Sequence, residues 1–315
     1  MSLKSKLSQP VARRIAQREN RRALNGAKKQ RHVLKELLKK AQQTVFGSDH
    51  GLSPRMSEED FRKAVPVRDY EALKPWVDRA VGGEKDVLWP GKPLYFCKTS
   101  GTTSGAKYIP LTRDSMPNHL GSARNALLAY IAETGNSGFL DGKMIFLQGS
   151  PQLTETSGGI KMGRLSGIVA HHIPGYLQAN RLPSFEANCI EPWEAKIDAI
   201  VEETRNQDLR LISGIPSWVQ NYFERLLAVT GAKTVREVFP NFELFVYGGV
   251  AFDPYRARFR ELIGAEIPAI ELFPASEGFF AYQDRTDTEG LRLNVDDGMY
   301  FEFIPVDSYF EENPK

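Results

Sequence analysis

The sequence predicts an α/β fold with a largely parallel sheet, on three observations. Short apolar runs alternate with segments of helical period between positions 143 and 263. A stretch rich in Ser, Thr and Gly joins two strand-like runs at 94–97 and 108–111. Near the end, an alternating run meets a two-residue turn signal at Asp297-Gly298. The 315 residues suffice for about two domains at roughly 150 residues each. With 41% hydrophobic and 25% charged residues, the chain belongs to the globular class and not to the disordered or fibrous ones.

The first 40 residues hold 13 Lys and Arg against Glu19 and Glu36, a local balance of +11 that leaves −9 for the rest. Such an arm fits a nucleic-acid or membrane patch, an organellar transit peptide, or a solvated helical face. It has no aromatic residue and no apolar run, while Val33, Leu34, Leu37, Leu38, Ala41 and Val45 recur at helical spacing. One buried stripe under a solvated basic face is therefore favoured, and no nucleic-acid partner is expected.

Phe46-Gly47 closes this first helix, and Ser57 with Asp60 three residues on marks the start of a short second one. Residues 1–64 thus read as a basic helical region. Between 65 and 93, four prolines and Gly82-Gly83 break the chain into turns and short helices. A helix follows at 115–133, then strands at 143–148, 209–213 and 244–247, with helices at 192–206, 216–229 and 254–263 between and after them. The alternation at Leu291, Leu293 and Val295, the Asp297-Gly298 turn and the aromatic run 300–304 predict a closing β-hairpin.

The uncharged stretch 165–180 is broken by Ser, His, Gly and Gln, so it falls short of the roughly 18 apolar residues that a membrane span needs. Two cysteines, Cys97 and Cys189, show no metal-type spacing and allow at most one bridge, which fits a reducing, cytoplasmic setting.

Chemistry concentrates in Thr99-Ser100-Gly101-Thr102-Thr103-Ser104-Gly105-Ala106-Lys107. Small side chains leave many backbone N–H groups free to converge on an anion, the hydroxyls add donors, and Lys107 supplies a mobile charge. A Walker loop would need four residues between its glycines and Ser or Thr after the lysine, whereas here three separate Gly101 from Gly105 and Tyr108 follows Lys107. On composition alone the segment is equally a flexible hairpin loop. His171-His172 are adjacent, which suits no shared metal, and Cys97 has no base beside it.

In its order of residues the loop resembles the nucleotide loop of the adenylate-forming superfamily. The flank Lys107-Tyr108-Ile109-Pro110-Leu111-Thr112 is similar to the GH3 family of acyl acid amido synthetases, of the bacterial type. The segments 41–47, Val65-Pro66-Val67, Tyr70-Glu71, 86–91 and 213–218 agree in order. Phe273-Pro274-Ala275-Ser276-Glu277 resembles the family's second motif, with Phe273 where Tyr is usual and Pro274 beside it.

The resemblance implies an adenylate-forming large N-terminal domain over 65–315, built of two α/β subdomains and a partial β-barrel portion. It further implies a chain that stops before a ribose-binding Asp motif and a small C-terminal domain. The implied reaction is activation of a carboxylic acid by ATP with Mg²⁺, then conjugation to an amino acid. A catalytically incomplete nucleotide-binding fragment and an acyl-CoA ligase are the alternatives.

Within the ATP site, the resemblance assigns Thr99 to Gly105 to the phosphate loop. Ser100, Thr102 and Thr103 would hold the β- and γ-phosphates, and Lys107 would neutralise charge. Ser276 falls near the α-phosphate and Glu277 on Mg²⁺, where the residues alone allow a surface helix cap. Phe273 would stack on adenine, and Gly248 and Gly249 would let the ring approach the backbone, where the residues alone allow a plain tight turn. Ile215, Pro216 and Trp218 would line the acyl pocket.

Overall fold

The computed structural model describes residues 2–100, 105–173 and 175–309. Two sheets organise it. The smaller has the order β2-β1-β5-β4, from β1 (Tyr95–Ser100), β2 (Ala106–Leu111), β4 (Thr154–Glu155) and β5 (Lys161–Gly163). The larger runs β11-β10-β9-β8-β7-β3-β6. Its strands are β3 (Lys143–Phe146), β6 (Arg181–Leu182), β7 (Leu209–Ser213), β8 (Leu244–Gly248), β9 (Ala269–Ala275), β10 (Gly278–Tyr282) and β11 (Arg292–Leu293). From β6 to β9 all neighbours are parallel, and β10 and β11 extend the sheet antiparallel. Both sheets are open among the described residues, so the expected partial barrel takes the form of this antiparallel extension.

The helices are α1 (Leu3–Leu24), α2 (Gly26–Ala41), α3 (Val45–Asp49), α4 (Glu58–Ala64), α5 (Tyr70–Val81) and α6 (Met116–Thr134). After them come α7 (Leu165–Ala170), α8 (Gly175–Gln178), α9 (Phe185–Cys189), α10 (Trp193–Thr204), α11 (Pro216–Thr230), α12 (Val235–Val238), α13 (Asp253–Ile263) and α14 (Val306–Tyr309). Strand alternation divides the core into two layers. Ile145, Ile212, Phe245 and Tyr247 face the side chains of α10, α11 and α13. Met144, Leu211, Leu244 and Val246 face the other way, onto Tyr130 and Ile131 of α6 and Ala12 of α1. Every one of these sheet residues is at most 8% exposed, which gives the burial that fixes strand register.

Several local expectations meet their reasons here. Ser57 and Asp60 form a reciprocal capping box at the start of α4. Val33, Leu34 and Leu38 of α2 are buried, the two leucines against Leu52, Phe46 and Phe61, but α2 ends at Ala41 and Phe46-Gly47, expected to close that helix, lie inside α3. Pro75 sits inside the 12-residue helix α5, a longer element than the proline count suggested.

The closing hairpin is a correction. Leu293 and Arg292 pair back onto β10, and the run 300–304 forms no strand. The backbone groups that would have zipped that hairpin are taken by Gln30 of α2, which donates to the carbonyls of Val295 and Met299 and accepts from Phe301 N. Asp296 and Asp297 are drawn the same way, into ion pairs with Arg22 and Lys29.

The basic arm is not wholly solvated. Ser5, Ala12 and Glu19 of α1 lie buried on its inner side, where it packs along α6. Its outer side carries exposed Arg13, Arg14, Arg18 and Arg21. Among the described residues, no helix is long and apolar enough to cross a membrane.

Candidate functional site

Parallel strands place their carboxyl ends on one edge, and ligands of open α/β sheets bind in the crevice there. In this chain that edge holds Phe146 of β3, Ser213 of β7, Gly248 of β8 and the outward continuation of β9. Leu147 N donates to Ser213 O at 2.8 Å and Gly214 N to Val246 O at 3.0 Å, so the three loop starts are tied together.

Two glycines shape the middle of the edge. A Cβ on Gly248 would lie 2.5 Å from Leu272 O, and Gly249 adopts φ +86°, open to a glycine at no steric cost. Ile215 approaches the Cβ position of Gly249 at 3.9 Å and is half-buried. Pro216 is buried at the first turn of α11, while Trp218 packs on Trp193 at 4.9 Å against the α10–α11 core.

Pairing of Gly248 with Leu272 sets Phe273 alongside Gly249. The Phe273 ring is 51% exposed, steadied from one side by the edge of Phe280 at 5.4 Å. It is a flat apolar surface left without a cover among the described residues. Pro274 is accommodated because the β9–β10 ladder is irregular just beyond it. Ala275 pairs with Gly278, so Ser276 and Glu277 form the two-residue tip of this hairpin.

The Ser/Thr/Gly segment is also a hairpin tip. Thr99 pairs with Lys107 and Ser100 with Ala106, and Gly105 has φ +93°. Gly101, Thr102, Thr103 and Ser104 lie outside the described residues. Lys107 Nζ stands 5.4 Å over the ring of Tyr70, whose hydroxyl accepts from Tyr108 N at 2.8 Å. Tyr70 of α5 thereby braces the strand that carries the lysine. Sequence reasoning matched Tyr70 to a motif but could not foresee this contact between distant elements.

The β9–β10 tip approaches the strand of the other hairpin at Cys97, inside β1. By strand period Cys97, Thr99 and their partners Ile109 and Lys107 share one face of the small sheet. Ser276 and Glu277 both lie near enough to the Cys97 thiol to act on its titration. Burial pushes this thiol up to about 12, Ser276 works against the rise and Glu277 adds to it. Ser276 is half-buried and Glu277 exposed, and Glu277 makes no ion pair or hydrogen bond among the described residues. Cys97 is a protonated packing residue, as its lack of a base foretold. His171 Nε2 sits 2.8 Å from Pro151 O and His172 Nε2 3.1 Å from the Tyr95 hydroxyl, so each histidine has its own structural partner.

Hence Gly248-Gly249, Ile215 and Phe273 share the carboxyl edge of the large sheet, and the Ser276-Glu277 tip of the same β9–β10 hairpin reaches β1, the strand that leads into the Ser/Thr/Gly segment. A surface concavity between α10 and α11, lined by Trp193, Asp198, Asn221 and Arg225, carries none of them. Three cations near the edge escaped the sequence reading altogether: Arg164, Arg181 and Lys196. Each stands in an ordinary-looking context, and only the fold gathers them.

The GH3 family N-terminal domain model matches residues 20–183, just over half of the chain. The chain belongs to the GH3 family. Among curated relatives, indole-3-acetic acid-amido synthetase GH3.5 of Arabidopsis thaliana is 28% identical over 138 residues, 43% of this GH3 chain and 22% of that protein. The solved structure of the GH3.15 acyl acid amido synthetase superposes with a TM-score of 0.67 at 14% identity, covering 86% of this chain and 57% of that one. An open 2-hydroxyisobutyryl-CoA ligase in complex with its acyl-AMP and CoA gives 0.55 at 15% identity, covering 83% and 57%. These two likenesses show that the chain shares the fold of those proteins. This GH3 chain spans little more than half the length of these solved structures.

Proposed function

We propose that this GH3 chain binds ATP between its two hairpin tips and takes part in activating a carboxylic acid for conjugation to an amino acid. The observation that carries the reading is the nearness of Ser276 and Glu277 to Cys97, which sets the second motif beside the strand leading to the phosphate loop. Family membership supports it, and the relatives' names supply the acyl acid and amino acid classes.

In this reading Thr99, Ser100, Gly101, Thr102, Thr103, Ser104 and Gly105 cradle the phosphates, with Lys107 neutralising the pyrophosphate as it departs. Ser276 reaches the α-phosphate. Phe273 stacks on the adenine ring, which Gly248 and Gly249 admit to the backbone. Ile215 and Pro216, with Trp218 behind them, border the acyl group. The carboxylate of the acid attacks the α-phosphorus and pyrophosphate leaves; the amine then attacks the acyl carbon and AMP leaves.

Mg²⁺ fits the donors on offer. It takes one or two carboxylates, phosphate oxygens and water, and Glu277 presents a single carboxylate without a protein partner among the described residues. Among those residues no cluster of three or more His, Cys, Asp or Glu exists that would suit a closed protein cage instead. When bound there, the ion would screen the phosphate charge. Both cysteines are free thiols, which supports a reducing, cytoplasmic setting.

Exchange of labelled pyrophosphate into ATP, run with a panel of carboxylic acids, tests the activation step. Exchange with at least one acid, abolished by Lys107→Ala, is the expected result. No exchange with any acid while MgATP still binds would overturn activation and leave a nucleotide-binding portion.

A further inference from the structure

Three cations converge on Gln148-Gly149, the loop that leaves the carboxyl end of β3. Arg181, on the edge strand β6, donates from Nη2 to Gln148 Oε1 at 2.9 Å and lies 5.0 Å over the Phe146 ring. Lys196 of α10 is 5% exposed and donates to Gln148 O at 3.0 Å and Asn188 O at 2.7 Å. Arg164 crosses the bare face of Gly149, where a Cβ would sit 2.5 Å from its Cδ. None of the three forms an ion pair with a carboxylate among the described residues.

That absence of acids is costly. Cations withdrawn from water normally take a carboxylate partner, and like charges held together repel. Burial lowers Arg181 to about 10; burial also lowers Lys196, with Cys189 opposing it and the nearby Arg164 charge adding a lesser push the same way as burial. Neutral oxygens satisfy a few donors and leave the charge uncompensated. A guanidinium has five N–H donors, and Arg181 commits one of them to Gln148.

Location decides what the cluster serves. Arg164 directly follows Gly163, which pairs with Cys97 of the phosphate hairpin strand. Gln148 directly follows Leu147, whose Cβ is 3.1 Å from the Cβ position of Gly214 at the start of the Ile215 loop. The cluster thus flanks the crevice on its β3 side, across β7 from Gly248-Gly249.

We propose that Arg164 and Arg181, backed by Lys196, form a subsite for a second carboxylate, one that is not the carboxylate being activated. This rests on the activation reading for the crevice itself. Two sources share that chemistry: the distal carboxylate of a dicarboxylic acid substrate, or the α-carboxylate of the amino-acid acceptor. A planar fork suits a carboxylate through paired N–H bonds, and two arginines with one lysine give the charge to draw it in.

Isothermal titration of the full chain with glutarate, butyrate, glycine and inorganic pyrophosphate tests the assignment without needing turnover. The proposal expects glutarate or glycine to bind, with affinity falling about tenfold or more in Arg181→Met, the loss typical of a charge-assisted hydrogen bond. Glutarate dependence identifies the acid as the source, and glycine dependence the acceptor. Arg164→Met, at an exposed position, gives the same direction with no risk to the core should Arg181→Met fail to fold. Unchanged glutarate and glycine binding in both variants overturns the subsite. So does an equal loss for butyrate, which would put the reacting carboxylate there, or a loss confined to pyrophosphate, which would put the cluster in the phosphate site. Wild-type MgATP titration run alongside separates these outcomes from failure of the nucleotide reading, since that failure shows as absent MgATP binding.

Discussion

Cys97 lies in β1 where the Ser276-Glu277 tip comes near it, and its thiol is held up to about 12 by burial. Two consequences follow at this residue. Native protein at pH 8 should show Cys97 unreactive to a thiol reagent, with full reaction only after denaturation. A folded pKa above the unfolded value near 9 means that the stability tied to the bound proton is complete below pH 9 and is lost as pH rises toward 12. Tyr247, raised to about 12 chiefly by burial, with further contributions from Glu271, acts in the same direction over the alkaline range above its usual value. Denaturant midpoints measured from pH 8 to 11 should therefore fall, and fall less in Cys97→Ala. At the site itself, Glu277→Ala should weaken MgATP binding far more than binding of metal-free ATP. Equal losses in titrations with and without Mg²⁺ would remove Glu277 from the ion.

At the scale of elements, what the sequence made legible were the pieces with strong local signals. The capping box at Ser57, the strands 143–146, 209–213 and 244–248, and the helices after them follow from period and caps that neighbouring residues set among themselves. The hairpin expected at 291–304 failed because Gln30, some 270 positions away, supplies the partners that a local turn signal presumes to come from the next strand. Likewise Phe273 and Lys107 were legible as motif members, while Arg164, Arg181 and Lys196 were not, since no spacing along the chain relates them. The turn after α2 shows how close the local fit is. Thr44 is 2% exposed; its hydroxyl donates to Ala41 O at 2.7 Å and accepts from Gly47 N at 3.0 Å. Thr44→Val should cost about 1–2 kcal/mol, the range for a lost helix cap, readable as a lower denaturant midpoint at unchanged slope.

For the whole molecule, the large sheet and its two helical layers form the rigid support, and the crevice residues hang from its carboxyl edge. Phe245, 1% exposed in β8, packs on Tyr247, Phe252 and Phe259. Phe245→Ala should remove about 3–5 kcal/mol of stability, visible in equilibrium unfolding, and should loosen the Gly248-Gly249 end of the same strand. The basic arm belongs to this support. Its net charge of +11 is partly taken up by Asp296 and Asp297, so the arm ties α1 and α2 to the segment after β11, while Lys40 pairs with Asp114 just beyond β2.

The central claim is that the tips at 99–107 and 273–277 make one nucleotide site. Titration of MgATP into the wild-type chain and into Lys107→Ala, Ser276→Ala and their double variant tests it most directly. One site predicts saturable binding in the wild type, a loss of about tenfold or more in Lys107→Ala, the scale of a charged hydrogen bond, and a double variant whose loss departs from the sum of the single ones. Wild-type affinity in both single variants, or strictly additive losses in the double variant, would contradict it.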